Sequence, residues 1–225
     1  MLTNTALTKA MQELAPPGVA FALWCDGEPP PLWRAELSAA ASMTGKRQRE
    51  FAAGRHCARE ALAHLGHAAV ALPVGPGRAP VWPPGIIGSI SHTNDIAIAA
   101  VARRSDLGSL GIDVESADPL DPDLIGLVCS KEELAALADE GLQPEPGAKL
   151  IFSAKESVYK CLWPLTGMFL EFHAIRICID SARLRFRVHS DDQRLSALAR
   201  QIRGRYRNSG PVLVTCAWTG KSEDL

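Results

Sequence analysis

The stretch between the Pro/Gly-rich connector Pro73 to Gly85 and the acid-rich block that opens at Asp113 constrains the fold most, because it reads almost without a break as β-structure. Ile86 to Ser91, Asp95 to Val101 and Leu107 to Glu115 are apolar runs too short for helices, separated by turn-forming residues at His92-Thr93-Asn94 and Arg103 to Asp106. They predict meander strands. Such strands need cover, and two amphipathic patterns supply it. From about Thr44 to Leu65, Phe51, Ala58, Leu62 and Leu65 recur at helical spacing, with Lys46, Arg47, Arg49, Arg55 and Arg59 on other faces and Gly66 as a stop. A second helix is predicted from about Ala148 to Leu162, ending before Pro164. Val19 to Cys25, Phe169 to Ile179, Leu184 to His189 and Val212 to Trp218 read as further strands, with a polar helix over Arg194 to Arg207. The fold class is α+β.

Composition narrows the function. Lys plus Arg number 24 against 25 Asp plus Glu, without the positive excess that phosphate neutralisation on a nucleic acid demands. The apolar stretch Leu14 to Trp24 is broken by Pro16, Pro17 and Gly18 and is about half of a bilayer span, so neither a signal peptide nor a membrane helix is expected. Cys25, Cys57, Cys129, Cys161, Cys178 and Cys216 lie far apart in apolar segments without a Cys-x-x-Cys pair, as buried thiols of a reducing cytoplasm would. Asp113 through Glu145 holds ten acidic residues and one basic one, Lys131, and reads as solvated loops or a cation-binding block.

Gly111-Ile-Asp113-Val-Glu115 ends an apolar run with two carboxylates on one face of a strand. They are either solvent-facing acids or hard ligands for Mg²⁺, which takes one or two carboxylates and completes its shell with water and phosphate oxygens. The predicted second helix offers Lys155, Glu156 and Lys160. Glu156 fits an i, i+4 pair with Lys160, a capping box with Ser153, or a third carboxylate beside the metal. Ser89-Ile-Ser91-His92-Thr93 ends a strand with hydroxyls and an imidazole able to hold a phosphate. His64, His67, His173 and His189 form no ligand set. Arg176 to Arg207 carries nine arginines against three aspartates, a solvated face or a dock for an acidic protein. Phe51-Ala-Ala-Gly-Arg55 and Phe152-Ser-Ala-Lys155-Glu156 echo one another, by coincidence or because the chain is two similar halves.

Taken in order, Arg47 with Phe51-Ala-Ala-Gly-Arg55-His-Cys-Ala-Arg59, Arg78-Ala-Pro80-Val-Trp-Pro83, Gly88-Ser-Ile-Ser91-His92, Gly111-Ile-Asp113-Val-Glu115 and Phe152-Ser-Ala-Lys155-Glu156-Ser-Val-Tyr-Lys160 resemble the Sfp-type 4′-phosphopantetheinyl transferases, in particular the enterobactin synthase component D-like subgroup. The resemblance spans about residues 47 to 163. It implies two similar α/β halves related by a pseudo-twofold axis, residues 1–110 contacting the phosphates of coenzyme A and residues 111–225 holding the metal, the catalytic helix and the carrier dock. It implies a cytoplasmic, monomeric enzyme that moves phosphopantetheine from coenzyme A to a serine of an apo acyl, aryl or peptidyl carrier protein, releasing 3′,5′-ADP. By the same resemblance Asp113, Glu115 and Glu156 hold Mg²⁺, Glu156 is the general base, Lys155 and Lys160 offset charge on the pyrophosphate, and Arg47, Arg55, Arg78, Ser91 and His92 bind coenzyme A. The alternatives are a noncatalytic protein that binds coenzyme A or a carrier, and a Mg²⁺-dependent nucleotide hydrolase.

Overall fold

The structure is a computed structural model that describes residues 4–93 and 96–221. The chain runs through α1 (Asn4–Leu14), β1 (Ala20–Cys25), α2 (Leu37–Ala40), α3 (Gly45–His64), β2 (Ile86–Thr93), β3 (Ile96–Arg103) and β4 (Ser109–Ser116). It continues through α4 (Pro122–Val128), α5 (Lys131–Asp139), α6 (Pro144–Thr166), β5 (Arg176–Asp180), β6 (Arg185–His189), α7 (Gln193–Gln201), β7 (Arg203–Ser209) and β8 (Val212–Thr219). Two antiparallel sheets result, β1-β3-β2 and β4-β8-β7-β6-β5, and the fold is α+β.

The expected meander holds only for β2 and β3. Both edges of β3 are occupied, by β1 on one side and β2 on the other, so β4 pairs with β8 and opens the second sheet. His92 and Thr93 extend β2 instead of turning, while Asn94 and Asp95 lie outside the described residues.

Each sheet has one long helix laid on it. Ala53, Cys57, Ala58, Ala61 and Leu62 of α3 bury against Ala97, Ala99 and Val101 of β3. Ile151, Ala154, Val158 and Leu162 of α6 bury against Phe186, Tyr206, Leu213 and Ala217. A third cluster lies between the sheets, where α1, which no sequence pattern had announced, drops Leu7, Met11 and Leu14 onto Ile98, Ile112, Val114 and Cys216. Burial of each such aliphatic side chain contributes roughly 1.5–3 kcal/mol against the entropy of ordering it.

Several boundaries depart from expectation. Helix α6 starts at Pro144, where a missing N–H costs nothing in the first turn, and runs past Pro164 to a left-handed cap at Gly167. Pro164 stands so near the end that it removes only one ladder bond. The acid-rich block is not loop: Asp121 caps α4, and Ser130 with Glu133 forms a reciprocal capping box on α5. Residues 203–207, expected to be helical, are strand, because Gly204 and Tyr206 face the core while Arg203, Arg205 and Arg207 alternate outward. The expected strand Phe169 to Ile179 is ordered as β only from Arg176. Cys57, Cys129, Cys161 and Cys216 are buried free thiols, whereas Cys178 is exposed and Cys25 half-buried.

Candidate active site

Strands β2 and β4 belong to different sheets, yet serine hydroxyls join them. Ser89 Oγ accepts from the Ile112 amide at 3.1 Å, and Ser91 Oγ accepts from the Val114 amide at 3.3 Å. Residues two apart point the same way, so Ser89 and Ser91 meet β4 as a pair. Helix α6 crosses β4 on the other side at a distance only glycine permits, since a Cβ on Gly111 would stand 1.9 Å from the Ser157 carbonyl oxygen. This close crossing brings α6 side chains onto Asp113.

Asp113 is 3% exposed and sits at the centre of the network. Its Oδ1 accepts from Ser91 Oγ at 2.9 Å and from Lys160 Nζ at 2.7 Å, and its Oδ2 accepts from Ser153 Oγ at 2.8 Å. Lys160 Nζ also donates to Ser91 Oγ at 3.0 Å. Ser153 is thus no helix cap: it lies in the middle of α6 and tethers β4. Glu115 accepts from Lys149 Nζ at 2.7 Å. Burial raises the proton affinity of Glu115, with Asp113 adding to the rise and Lys149 opposing it. Burial likewise raises that of Glu156, where Lys160 opposes and Asp113 and Glu115 reinforce. The three carboxylates therefore feel one another across the β4–α6 crossing.

Among the described residues no three His, Cys, Asp or Glu side chains converge tightly enough to hold an ion by themselves. The donor set nonetheless fits a hard dication that keeps water and phosphate oxygens in its shell, because mutually repelling carboxylates gain from a shared cation.

The cationic residues fall into two groups. Arg47, Arg55, Arg78 and His92 line one cavity of about 480 Å³ beside α3, together with Phe51, Pro80 and Ile90. Arg55 is 4% exposed, donates through Nε to the Leu72 carbonyl at 2.8 Å and lies 4.2 Å from the centroid of the Phe51 ring. Burial, with Arg59 and Arg47 nearby, outweighs Glu36 and brings its guanidinium down to about 10, still protonated at neutral pH. His92 is hydrogen-bonded to Arg47 and lies 3.5 Å from Glu50, which sequence reasoning had not singled out. Burial first, then Arg47, lowers the proton affinity of His92. Arg78 follows Gly77 on a loop packed against Trp163 of α6, and it holds φ at 64°, a strained conformation for a residue with a side chain.

One expected role needs correction. Lys155 does not reach this site. It is 1% exposed, and its ammonium donates to the Val128 carbonyl (2.8 Å), Glu133 Oε2 (2.8 Å) and the Phe172 carbonyl (2.9 Å), leaving no N–H for a phosphate. Ser91, expected to bind coenzyme A, has its hydroxyl engaged with Asp113, Lys160 and the Val114 amide. The arginine tract also lies elsewhere. Arg205 pairs with Cys216, which pairs with Ile112, whereas Asp113 pairs with Thr215, so the β7 arginines occupy the sheet face opposite to Asp113.

On the open side of α6, Glu156 borders a second cavity of about 460 Å³ lined by Tyr159, Phe169, Leu170, Phe172 and Leu127. Phe169 is 78% exposed and Leu127 63%, an apolar mouth beside a carboxylate.

Comparison with known proteins places the sequence beside one family. The family model for the 4′-phosphopantetheinyl transferase N-terminal domain matches residues 34–102, and that for the 4′-phosphopantetheinyl transferase superfamily matches residues 109–216. The chain is 43% identical to 4′-phosphopantetheinyl transferase Svp of Streptomyces mobaraensis over 66% of its own length and 61% of that protein's. It is 38% identical to 4′-phosphopantetheinyl transferase Npt of Nocardia iowensis over 65% of each chain, and 38% identical to enterobactin synthase component D of Escherichia coli (strain K12) over 51% of this chain and 54% of that one. The alignments thus span less than two thirds of the length of these curated relatives. With two family models matched in tandem across most of its length, the chain belongs to the 4′-phosphopantetheinyl transferase superfamily.

Proposed function

We propose that the chain transfers the 4′-phosphopantetheine group of coenzyme A to a serine hydroxyl of an apo carrier protein and releases 3′,5′-ADP. One observation carries this reading: the cationic cavity of Arg47, Arg55, Arg78 and His92 is joined through adjacent β2 residues, His92 and Ser91, to the carboxylate and lysine cluster of Asp113 and Lys160. A binding site for nucleotide phosphates therefore abuts a site for charge neutralisation, the layout that phosphoryl transfer needs.

In this reading Arg47, Arg55, Arg78 and His92 bind the nucleotide end of coenzyme A, residues up to about 110 supply that cavity, and the following half supplies the reacting groups. Asp113, Glu115 and Glu156 hold Mg²⁺, which when bound neutralises the pyrophosphate. Lys160, two of whose donors rest on Ser91 and Asp113, turns toward the phosphate and neutralises the departing one. Glu156, the carboxylate at the apolar mouth, takes the proton from the serine hydroxyl, directly or through water. Its raised proton affinity, caused chiefly by burial, makes it a stronger base than an exposed glutamate. The mouth of Tyr159, Phe169 and Leu127 receives the apolar surface around that serine.

The test is release of 3′,5′-ADP from coenzyme A and Mg²⁺ with and without an apo-carrier. Release that requires the carrier supports transfer. Equal release without it makes the protein a hydrolase, and binding without release makes it a noncatalytic binder.

A further inference from the structure

On the face of the second sheet turned away from Asp113, Arg185 of β6 stands directly opposite Arg205 of β7, and Arg187 opposite Arg203. Like charges at cross-strand positions repel, so two such pairs side by side weaken the sheet they stand on. None of these four arginines has an ion-pair partner among the described residues, unlike Arg183, Arg194 and Arg207, which pair with Asp180, Asp192 and Glu13. Helix α1 covers the neighbouring part of β7, with Arg205 reaching the Ala15 carbonyl, and stops short of β6. The uncovered part forms a basin of about 700 Å³ rimmed by Arg183, its ion-pair partner Asp180, and Arg200. Arg205 lies 5.2 Å from the centroid of the Trp218 ring, which holds its guanidinium in place.

We infer that this face of β6 and β7 docks an acidic polypeptide segment at a site separate from the carboxylate cluster of Asp113. Same-face neighbours along a strand are roughly 7 Å apart and cross-strand partners about 5 Å, so the four arginines present a compact array matched to a few carboxylates. Guanidinium forks bind carboxylates in bidentate fashion, and here they are already gathered. A long polyanion fits poorly: the whole chain carries a formal charge of -1, and residues 113–145 are strongly acidic, so long-range attraction is missing. Because the register places these arginines on the face opposite to Asp113, the bound segment is not the one that presents the acceptor serine. The site serves to hold the acidic segment of a partner protein near the enzyme.

The probe is a fluorescently labelled peptide of alternating glutamate and glycine, its binding to the full chain followed by anisotropy at low and high salt. Wild type should bind it, with affinity falling as salt rises, and Arg185→Glu with Arg203→Glu should weaken it by about tenfold or more. Arg194→Glu, on α7 outside the basin, should leave binding unchanged. Arg185→Gln with Arg203→Gln should also weaken binding while raising Tm by about 1–3 °C, since opposed charges are removed from an intact fold. The inference is overturned if the peptide fails to bind, if both double variants bind it like wild type, or if a DNA duplex or phosphatidylserine vesicles compete more strongly than unlabelled peptide.

Discussion

Lys155→Met separates a structural lysine from a catalytic one. The ammonium is 1% exposed and is, among the described residues, the sole cation on Glu133, itself fully buried, whose Oε1 also accepts from the Ile177 amide and Oε2 from the Ser130 amide. Removing Lys155 strands a buried carboxylate and two carbonyls, those of Val128 and Phe172. Breaking one partner of such a pair costs about 3–5 kcal/mol. For a domain of this size that lowers Tm by roughly 6–20 °C. Neutralising the stranded charge should recover part of the loss: Glu133→Gln combined with Lys155→Met should show about 1–3 kcal/mol of favourable coupling in a thermal or urea double-mutant cycle. Lys160→Met gives the contrast, because its ammonium is partly exposed and Asp113 keeps the Ser91 and Ser153 hydroxyls as donors, so turnover should fall more than stability. Circular dichroism melts with assays at low temperature measure both. If Lys155→Met keeps its Tm and loses kcat as Lys160→Met does, the ammonium acts on phosphate and its assignment here is wrong.

Gly111→Ala should destabilise by several kcal/mol and abolish activity, because the new methyl would meet backbone of α6, with Ser157 O at 1.9 Å and Cys161 N at 2.6 Å; a folded, active variant contradicts the close crossing. His92, held below its ordinary value of 6.5 by burial and Arg47, takes up its proton at lower pH in the folded chain than in the unfolded one, so it lowers stability as pH falls through 6.5. A phosphate in the cavity should reverse that preference. Calorimetry of coenzyme A binding near pH 6 in buffers of different ionisation enthalpy should therefore show proton uptake that disappears in His92→Gln. Among the carboxylates, Asp113→Asn should recover part of its activity when Mg²⁺ or Mn²⁺ is raised. Glu156→Gln should stay about a hundredfold or more below wild type in kcat at saturating metal, and full rescue would make Glu156 a ligand only.

The sequence carried the long elements, and it missed what depends on partners far along the chain. Helix α3 and strands β1, β2 and β8 lie close to their expected limits, because each couples a periodic apolar pattern to a clear stop. Strand β7 was hidden because its outward residues are arginines, which suit helices as well, and only pairing with β6 and β8 decides the matter. Ser130-x-x-Glu133 is a readable start signal for α5, masked by the acidic block around it. Arg47, Arg55, Arg78 and His92 do share a cavity, and Asp113 does meet Lys160. That Lys155 points inward while Lys160 points to Asp113 was not readable, since both sit on one helix and differ only in which neighbours the tertiary fold supplies.

The most direct test of the account is the intact mass of an apo-carrier after incubation with the protein, coenzyme A and Mg²⁺, beside the same carrier with its acceptor serine changed to alanine. The account predicts a gain of one phosphopantetheine on the serine-bearing carrier alone, lost when Glu156 is glutamine. Release of 3′,5′-ADP with no mass gained by any carrier would contradict it.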